Sequence, residues 1–183
     1  PPCRAMRPSG PGRKARTPKK ANRSKPSAGV THPATVVRAA AANRAYLARH
    51  STPSRTQIKA MIVATARRHG VDPKLALAVS WQESGWNQRQ VSVANAIGAM
   101  QVIPSSGAWA SELAGRKLNL LNAQDNVTAG IILLRSLTRS AHTQDQAIAG
   151  YYQGLYSVQN VGMYPDTKRY VASVVLLKRQ MQV

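Results

Sequence analysis

Charge and proline are distributed so unevenly that the chain divides into two different parts. Residues 1–55 contain 13 basic residues, no acidic residue and 8 of the 11 prolines, whereas residues 56–183 contain 13 basic and 6 acidic residues. A segment with so little apolar surface cannot offset the entropy that it would lose on ordering. We therefore predict a disordered, basic, proline-rich tail over residues 1–34. Residues 35–54 are predicted to be a linker that could be helical, and residues 55–183 a folded domain.

The formal net charge of +20 indicates anionic partners, a class that includes nucleic acid, acidic wall polymers and membrane surfaces. The alternative is a solvated tail without a specific partner. The sequence contains no nucleic-acid motif, so no specific nucleic-acid partner is expected. No apolar run approaches the roughly 20 residues of a membrane span. The single cysteine, Cys3, could be a free thiol or pair with another chain. We expect no metal and no other cofactor.

Capping residues and apolar periodicity predict a mainly helical domain. Ser54 and Gln57 form a capping box at the start of a helix over residues 55–69. Asp72 followed by proline starts the next helix, which is apolar on nearly every side and ends near Gly85. The polar, aperiodic segment that follows suits loops, with at most a small β-hairpin around residues 88–102. Further helix starts are predicted at Ser105 or Ser106, Asn122 or Asp125, Thr143 and Thr167.

Glu83 differs from the other five acidic residues, because it ends the most apolar helix between two tryptophans. The others are assigned to capping, turns or the surface: Asp72, Glu112, Asp125, Asp145 and Asp166. Burial and a helix C-terminus both raise the pKa of a carboxyl group, and a protonated carboxyl is what a general acid requires. The alternative is a surface glutamate at a fraying helix end.

No plausible second carboxylate follows Glu83 at short range. Glycosidases that use water usually need two carboxyl groups. A single carboxyl group fits a reaction in which the sugar supplies its own nucleophile.

Four segments in order resemble the motifs of the soluble lytic transglycosylase domain. Residues 83–87 are similar to the family's E-S-x-x-N motif, and residues 98–104 to its G-L-M-Q-x-x-P motif. Residues 122–130 are similar to D-P-x-x-N-I-x-A-G, and residues 147–154 to A-x-A-A-Y-N-A-G. The resemblance implies a mainly α, lysozyme-like fold. It also implies a peptidoglycan lytic transglycosylase that acts outside the cell or in the cell wall, with Glu83 as catalytic acid and base. The rivals are a lysozyme-like muramidase on the same fold and a non-catalytic, cationic wall-binding module.

The resemblance further implies five substrate-binding residues: Ser92, Met100, Gln101, Tyr151 and Tyr152. Tyr152 stands where the family has an asparagine that could bind a sugar N-acetyl or hydroxyl group, which puts subsite preference in doubt. Ser92 could instead cap a turn, Met100 could fill the core, and Tyr151 could pack in the core with its hydroxyl bonded locally.

The basic tail is predicted to tether the chain to anionic wall polymers. Because exposed charges are screened over roughly 8 Å at physiological ionic strength, added salt should weaken this binding. Binding of the full chain and of a chain that starts at Ser54 is measured at rising salt concentration. Equal salt dependence of the two chains would show that the tail contributes nothing.

Overall fold

The computed structural model describes residues 31–183. Most of the predicted disordered tail, and Cys3 with it, therefore lies outside the described residues. The described part contains eight helices: α1 (Ala34–Arg49), α2 (Arg55–Arg68), α3 (Pro73–Ser84), α4 (Pro104–Ala114), α5 (Ala123–Ser140), α6 (Gln144–Gln153), α7 (Leu155–Val161) and α8 (Pro165–Gln180). None of them is both long and apolar enough to cross a membrane.

Local capping fixes α2 and α3 where the sequence predicted them. The side chain of Ser54 accepts a hydrogen bond from the backbone N–H of Gln57, whose own side chain accepts from the backbone of Ser54. The carboxylate of Asp72 accepts from the N–H of Lys74. Gly85 ends α3 in the left-handed conformation with φ of 63°, which glycine adopts without steric cost.

The later helices follow the prediction with three differences. Helix α4 begins at Pro104 rather than at Ser105 or Ser106, again with proline at the first helical position. Asn122 and Thr143 cap α5 and α6 as expected. The last helix begins at Pro165 rather than at Thr167, because proline is well suited to the first helical position. The short helix α7 was not predicted, since its seven residues are too few for a periodic signal.

The centre of the fold is α3, which packs against α2 on one side and α8 on another. Its residues from Leu75 to Ser80 are all buried, as the nearly uniform apolar sequence predicted. The middle of α5 is also buried, at every position from Asn126 to Leu134. This arrangement places the C-terminal end of α3 next to the loop of residues 86–103, which contains no strand, only two isolated bridges that Ile97 forms with Val91 and Val102.

The amide of Asn126, which is completely buried, joins that loop to α5. Its oxygen accepts from the N–H of Met100 at 2.9 Å, and its nitrogen donates to the carbonyl groups of Ile97 at 2.8 Å and Leu120 at 3.0 Å. A loop with so little regular pairing must satisfy its buried backbone groups through side chains. Asn126 supplies two bonds to this loop, and its third bond, to Leu120, ties the loop to the segment between α4 and α5.

Two glycines allow the loop to approach this closely. A Cβ atom on Gly98, whose φ is +76°, would lie 2.5 Å from both the Asn126 amide nitrogen and the Gln88 side-chain oxygen. A Cβ atom on Gly130 of α5 would lie 2.5 Å from the Cβ of Met100. Both distances are too short for an added side chain, so the loop and α5 are in direct contact at these positions.

Helix α1 occupies most of residues 35–54, which the sequence predicted to be a linker that could be helical. It contacts the rest of the fold, because Leu47 is buried and the Asn43 amide donates to the Asn95 side chain at 2.9 Å. Because its apolar face is small, the sequence pattern contains only a weak signal for packing. The domain boundary at residue 55 stays a prediction.

Replacing Asn126 with alanine should destabilise the fold by about 3 kcal/mol or more, because each buried backbone group left unpaired costs about 1–3 kcal/mol. The measurement is the free energy of unfolding from denaturant titration. Asn160→Ala, at an exposed position of α7, is the matched control and should change it by no more than about 0.5 kcal/mol. Equal effects of the two substitutions would contradict the role given to Asn126.

Candidate active site

Glu83 lies in the last turn of α3 and exposes only 3% of its surface. All six acidic residues of the chain lie in the described part, and Glu83 is the one that is buried. Directly after it, Gly85 and Trp86 both have positive φ values, which turn the chain sharply into the loop. A buried carboxyl group at such a turn is unusual for a purely structural residue.

One partner of this carboxyl group comes from the other end of the domain. The hydroxyl of Tyr170 on α8 donates a hydrogen bond of 2.9 Å to Oε1 of Glu83. Sequence analysis placed Tyr170 on the apolar face of the last helix and did not identify it as a site residue. The two residues are 87 positions apart, and no local pattern links them. Only the packing of α3 against α8 brings them together.

Two tyrosines near Glu83 hold their protons strongly. Burial raises the pKa of Tyr170 well above its ordinary value, and the negative charge of Glu83 raises it further. Burial and then the charge of Glu83 also raise the pKa of Tyr151. A tyrosinate would be both desolvated and repelled by the carboxylate. The Tyr170 hydroxyl therefore remains a donor to Glu83 throughout the neutral range.

Tyr152 holds the ring of Tyr170 in place. The two rings are stacked, with centroids 4.6 Å apart and planes inclined by 19°. The Tyr152 hydroxyl donates to Oδ2 of Asp166 at 2.9 Å, on the same helix that carries Tyr170. Asp166, which the sequence assigned to a turn, lies instead in the first turn of α8, because that helix starts earlier than predicted.

Two serines of α3 join the acid-bearing helix to the loop. The hydroxyl groups of Ser80 and Ser84 donate to the carbonyl of Ala99 at 2.8 Å and 2.7 Å. The Ser84 hydroxyl also accepts from the backbone N–H of Asn87 at 3.1 Å. The serine next to Glu83 therefore fixes both the turn after the helix and the far side of the loop.

Gln101, predicted to bind substrate, is buried and is bonded to backbone. Its amide donates to the carbonyl groups of Gln90 at 2.9 Å and Gly98 at 3.0 Å, and it exposes 1% of its surface. Gln90 in turn donates to the backbone carbonyl of Glu83 at 3.1 Å. The structure therefore connects Gln101 to the acid through the loop, and its expected contact with a sugar stays a prediction.

Met100 and Tyr151 are buried beside each other, with the Tyr151 hydroxyl donating to the Met100 carbonyl at 2.7 Å. This geometry corresponds to the alternative of core packing that the sequence left open. Ser92 is half-buried, and its hydroxyl accepts from the N–H of Ala96 at 3.0 Å, as expected of a residue that caps a turn. Substrate contact by these three side chains stays a prediction. Of the five proposed substrate-binding residues, only Ser92 and the half-buried Tyr152 have appreciable exposed surface.

The site thus presents one buried carboxyl group with a tyrosine donor, on a helix end that the loop holds in place. Among the described residues, no group of three or more histidine, cysteine, aspartate or glutamate side chains could hold a metal ion. Such an arrangement is suited to proton transfer by a single carboxyl group.

Comparison with known proteins identifies the family to which the chain belongs. Residues 60–172 match the Transglycosylase SLT domain family. Membrane-bound lytic murein transglycosylase C of Mannheimia succiniciproducens is 26% identical over 151 residues, which cover 75% of this chain and 42% of that protein. The protein of the same name from Actinobacillus succinogenes is 39% identical over 71 residues, or 36% of this chain and 20% of that one.

An inactive variant of the lytic transglycosylase Slt of Pseudomonas aeruginosa has a similar structure, with a TM-score of 0.60 and 21% identity. The match covers 65% of this chain and 23% of that one. The chain belongs to the Transglycosylase SLT domain family, and the mainly helical, lysozyme-like fold expected from the sequence is confirmed. It spans less than half the length of the two curated relatives described above.

The raised pKa values of Tyr151 and Tyr170 predict a loss of stability at high pH. Below pH about 10 both hydroxyl groups are protonated whether the chain is folded or unfolded. Above it the unfolded chain releases these protons while the folded chain keeps them, so the free energy of unfolding falls as pH rises. Denaturant titrations at increasing pH measure this fall, which should be shallower in Tyr170→Phe. Equal slopes in parent and variant would contradict the prediction.

Proposed function

We propose that this chain is a peptidoglycan lytic transglycosylase. It cleaves the β-1,4 bond between N-acetylmuramic acid and N-acetylglucosamine and leaves a 1,6-anhydromuramyl end. The observation that carries the proposal is the buried carboxyl group of Glu83, which occupies the family's E-S-x-x-N motif and is the only buried acidic side chain of the chain. The printed names of the relatives, which are lytic murein transglycosylases, support the same activity.

In the first step, Glu83 as the acid donates its proton to the glycosidic oxygen, and the bond from that oxygen to C1 of the muramyl residue breaks. In the second step, the carboxylate takes the proton from the C6 hydroxyl of the same residue while that oxygen bonds to C1. The proton lost in the first step is recovered in the second, and no water is consumed. A hydrolase on this fold would require a group to position water, and residues 31–183 contain no second buried acidic side chain.

Tyr170 and Tyr152 act as positioning residues in this proposal. Tyr170 restrains one oxygen of Glu83 through its hydrogen bond, and Tyr152 restrains Tyr170 by stacking. The other oxygen of Glu83 then faces a defined direction during both proton transfers. Pre-orientation of this kind lowers the barrier, because the carboxyl group does not reorganise when the bond breaks.

We further propose that Ser92, on the loop, and Tyr152, stacked on Tyr170, contact the glycan strand, since both have exposed surface. Met100, Gln101 and Tyr151 would act indirectly, by holding the loop of residues 86–103 in place. The proposed location is extracellular, in the cell wall. The basic tail would bind anionic wall polymers there through its charge.

Glu83→Gln should abolish cleavage without unfolding the protein. The side chains are nearly isosteric, but the amide cannot transfer the proton, and proton transfer by a positioned group accelerates reactions by about 100- to 10,000-fold. Release of soluble fragments from purified peptidoglycan measures the rate, and thermal melting measures the stability, which should be equal or higher. Glu112→Gln, the same change at an exposed position of α4, is the control and should retain activity. A folded Glu83→Gln variant with more than about a tenth of parent activity would show that Glu83 is not the acid.

Tyr170→Phe should lower kcat by about tenfold to a hundredfold with KM unchanged, because a hydrogen bond to a charged group contributes about 1.5–3 kcal/mol. Tyr156→Phe, at a position that is 62% exposed, is the control and should change neither constant. Steady-state kinetics on a soluble glycan oligomer gives the two constants separately. If Tyr170→Phe lowered only the melting temperature, the tyrosine would be structural.

A further inference from the structure

A pocket of about 460 Å³ lies where the C-terminal halves of α4 and α5 meet the end of α2. Its lining includes His69 at the end of α2, Trp109 and Leu113 of α4, and Ile132, Arg135 and Arg139 of α5. None of these residues belongs to the family motifs that surround Glu83.

This pocket is remote from the proposed active site. His69 caps the C-terminal end of α2, whereas Arg55, at the first residue of that helix, donates to the carbonyl of Gly85 beside the acid. Fourteen helical residues at about 1.5 Å each separate the two ends by about 20 Å. A ligand in the pocket would therefore not lie at Glu83.

The pocket contains two guanidinium groups and no acidic side chain. Arg135 and Arg139 are four residues apart on α5, so they lie on the same face, where like charges repel each other. In the described part of the chain, no carboxylate forms an ion pair with either one, and the Nε of Arg135 is buried without an acceptor. A partly buried cation without a counter-charge is costly. An anion bound between the two guanidinium groups would offset their mutual repulsion and supply the missing counter-charge.

The walls of the pocket indicate what kind of anion fits. Trp109 and Leu113 of α4 and Ile132 of α5 make one side apolar. A strongly hydrated polyanion gains nothing from such a wall, whereas a small carboxylate with methyl groups buries them there. The two serines, Ser136 and Ser140, add hydroxyl groups that can bond to a peptide backbone.

We propose that this pocket binds the carboxylate end of a short peptide with small apolar side chains. Arg135 and Arg139 hold the carboxylate, and Trp109, Leu113 and Ile132 contact the side chains. Alanine-rich peptide stems of peptidoglycan have this chemistry, and their identification as the source of the ligand rests on the function proposed above. The pocket would then anchor a stem while the strand is cleaved elsewhere.

The test is binding of acetyl-dialanine to the full chain, measured by calorimetry and by NMR chemical-shift changes, with no cleavage involved. The proposal predicts binding that moves the Trp109 indole signal and is lost when the peptide carboxylate is replaced by an amide. Arg135→Gln and Arg139→Gln should each weaken binding about tenfold or more. Arg139 is exposed, so its variant keeps the test valid if Arg135→Gln fails to fold.

Arg49→Gln, which removes one charge from the exposed surface of α1, is the matched control and should bind as the parent does. Glycerol phosphate is the second probe. The proposal is overturned if acid and amide bind equally, if Arg139→Gln binds like the parent, or if only glycerol phosphate binds, which would assign the pocket to phosphate polymers. If the peptide binds but the protein does not cleave peptidoglycan, the peptide site is supported and the transglycosylase proposal is refuted. Failure of one proposal can therefore be distinguished from failure of the other.

Discussion

The hydrogen bonds from Asn126 to the loop of residues 86–103 are the interaction on which the rest of the site depends. That loop has almost no regular backbone pairing, and its buried N–H and carbonyl groups must be satisfied by side chains. Asn126 supplies two of these bonds from α5, and Ser80 and Ser84 bind the Ala99 carbonyl from α3. The loop is therefore anchored on two helices at once. Because Glu83 ends one of these helices, the same bonds fix the acid relative to the loop.

The family motifs have a physical explanation in these contacts. The serine of E-S-x-x-N joins helix to loop, and the glycine of the second motif, Gly98, leaves room for Asn126. Gly130, which ends the third motif, lets Met100 reach the surface of α5. Most of the motif residues thus build the support of the site, while Glu83 alone has a side chain suited to proton transfer. This division explains why Met100 and Gln101 are buried although their motif is associated with substrate.

Local signals in the sequence predicted most of the helices, because a cap such as Ser54 with Gln57 acts within one turn. The burial of Glu83 also followed from the sequence, through the apolar helix that it ends, and its role as the acid stays a proposal. The bond between Glu83 and Tyr170 could not be predicted, since it depends on how α3 and α8 pack across 87 residues. The roles of buried polar side chains were missed for the same reason. A glutamine such as Gln101 has the same sequence signal whether its amide faces a sugar or a carbonyl group.

The central claim is that one carboxyl group performs both proton transfers and that the sugar, not water, attacks C1. Mass spectrometry of fragments released from peptidoglycan in water labelled with heavy oxygen tests this claim most directly. The account predicts muramyl ends that are lighter than reducing ends by one water molecule and carry no label. Reducing muramyl ends that contain the heavy oxygen would show hydrolysis and contradict the account.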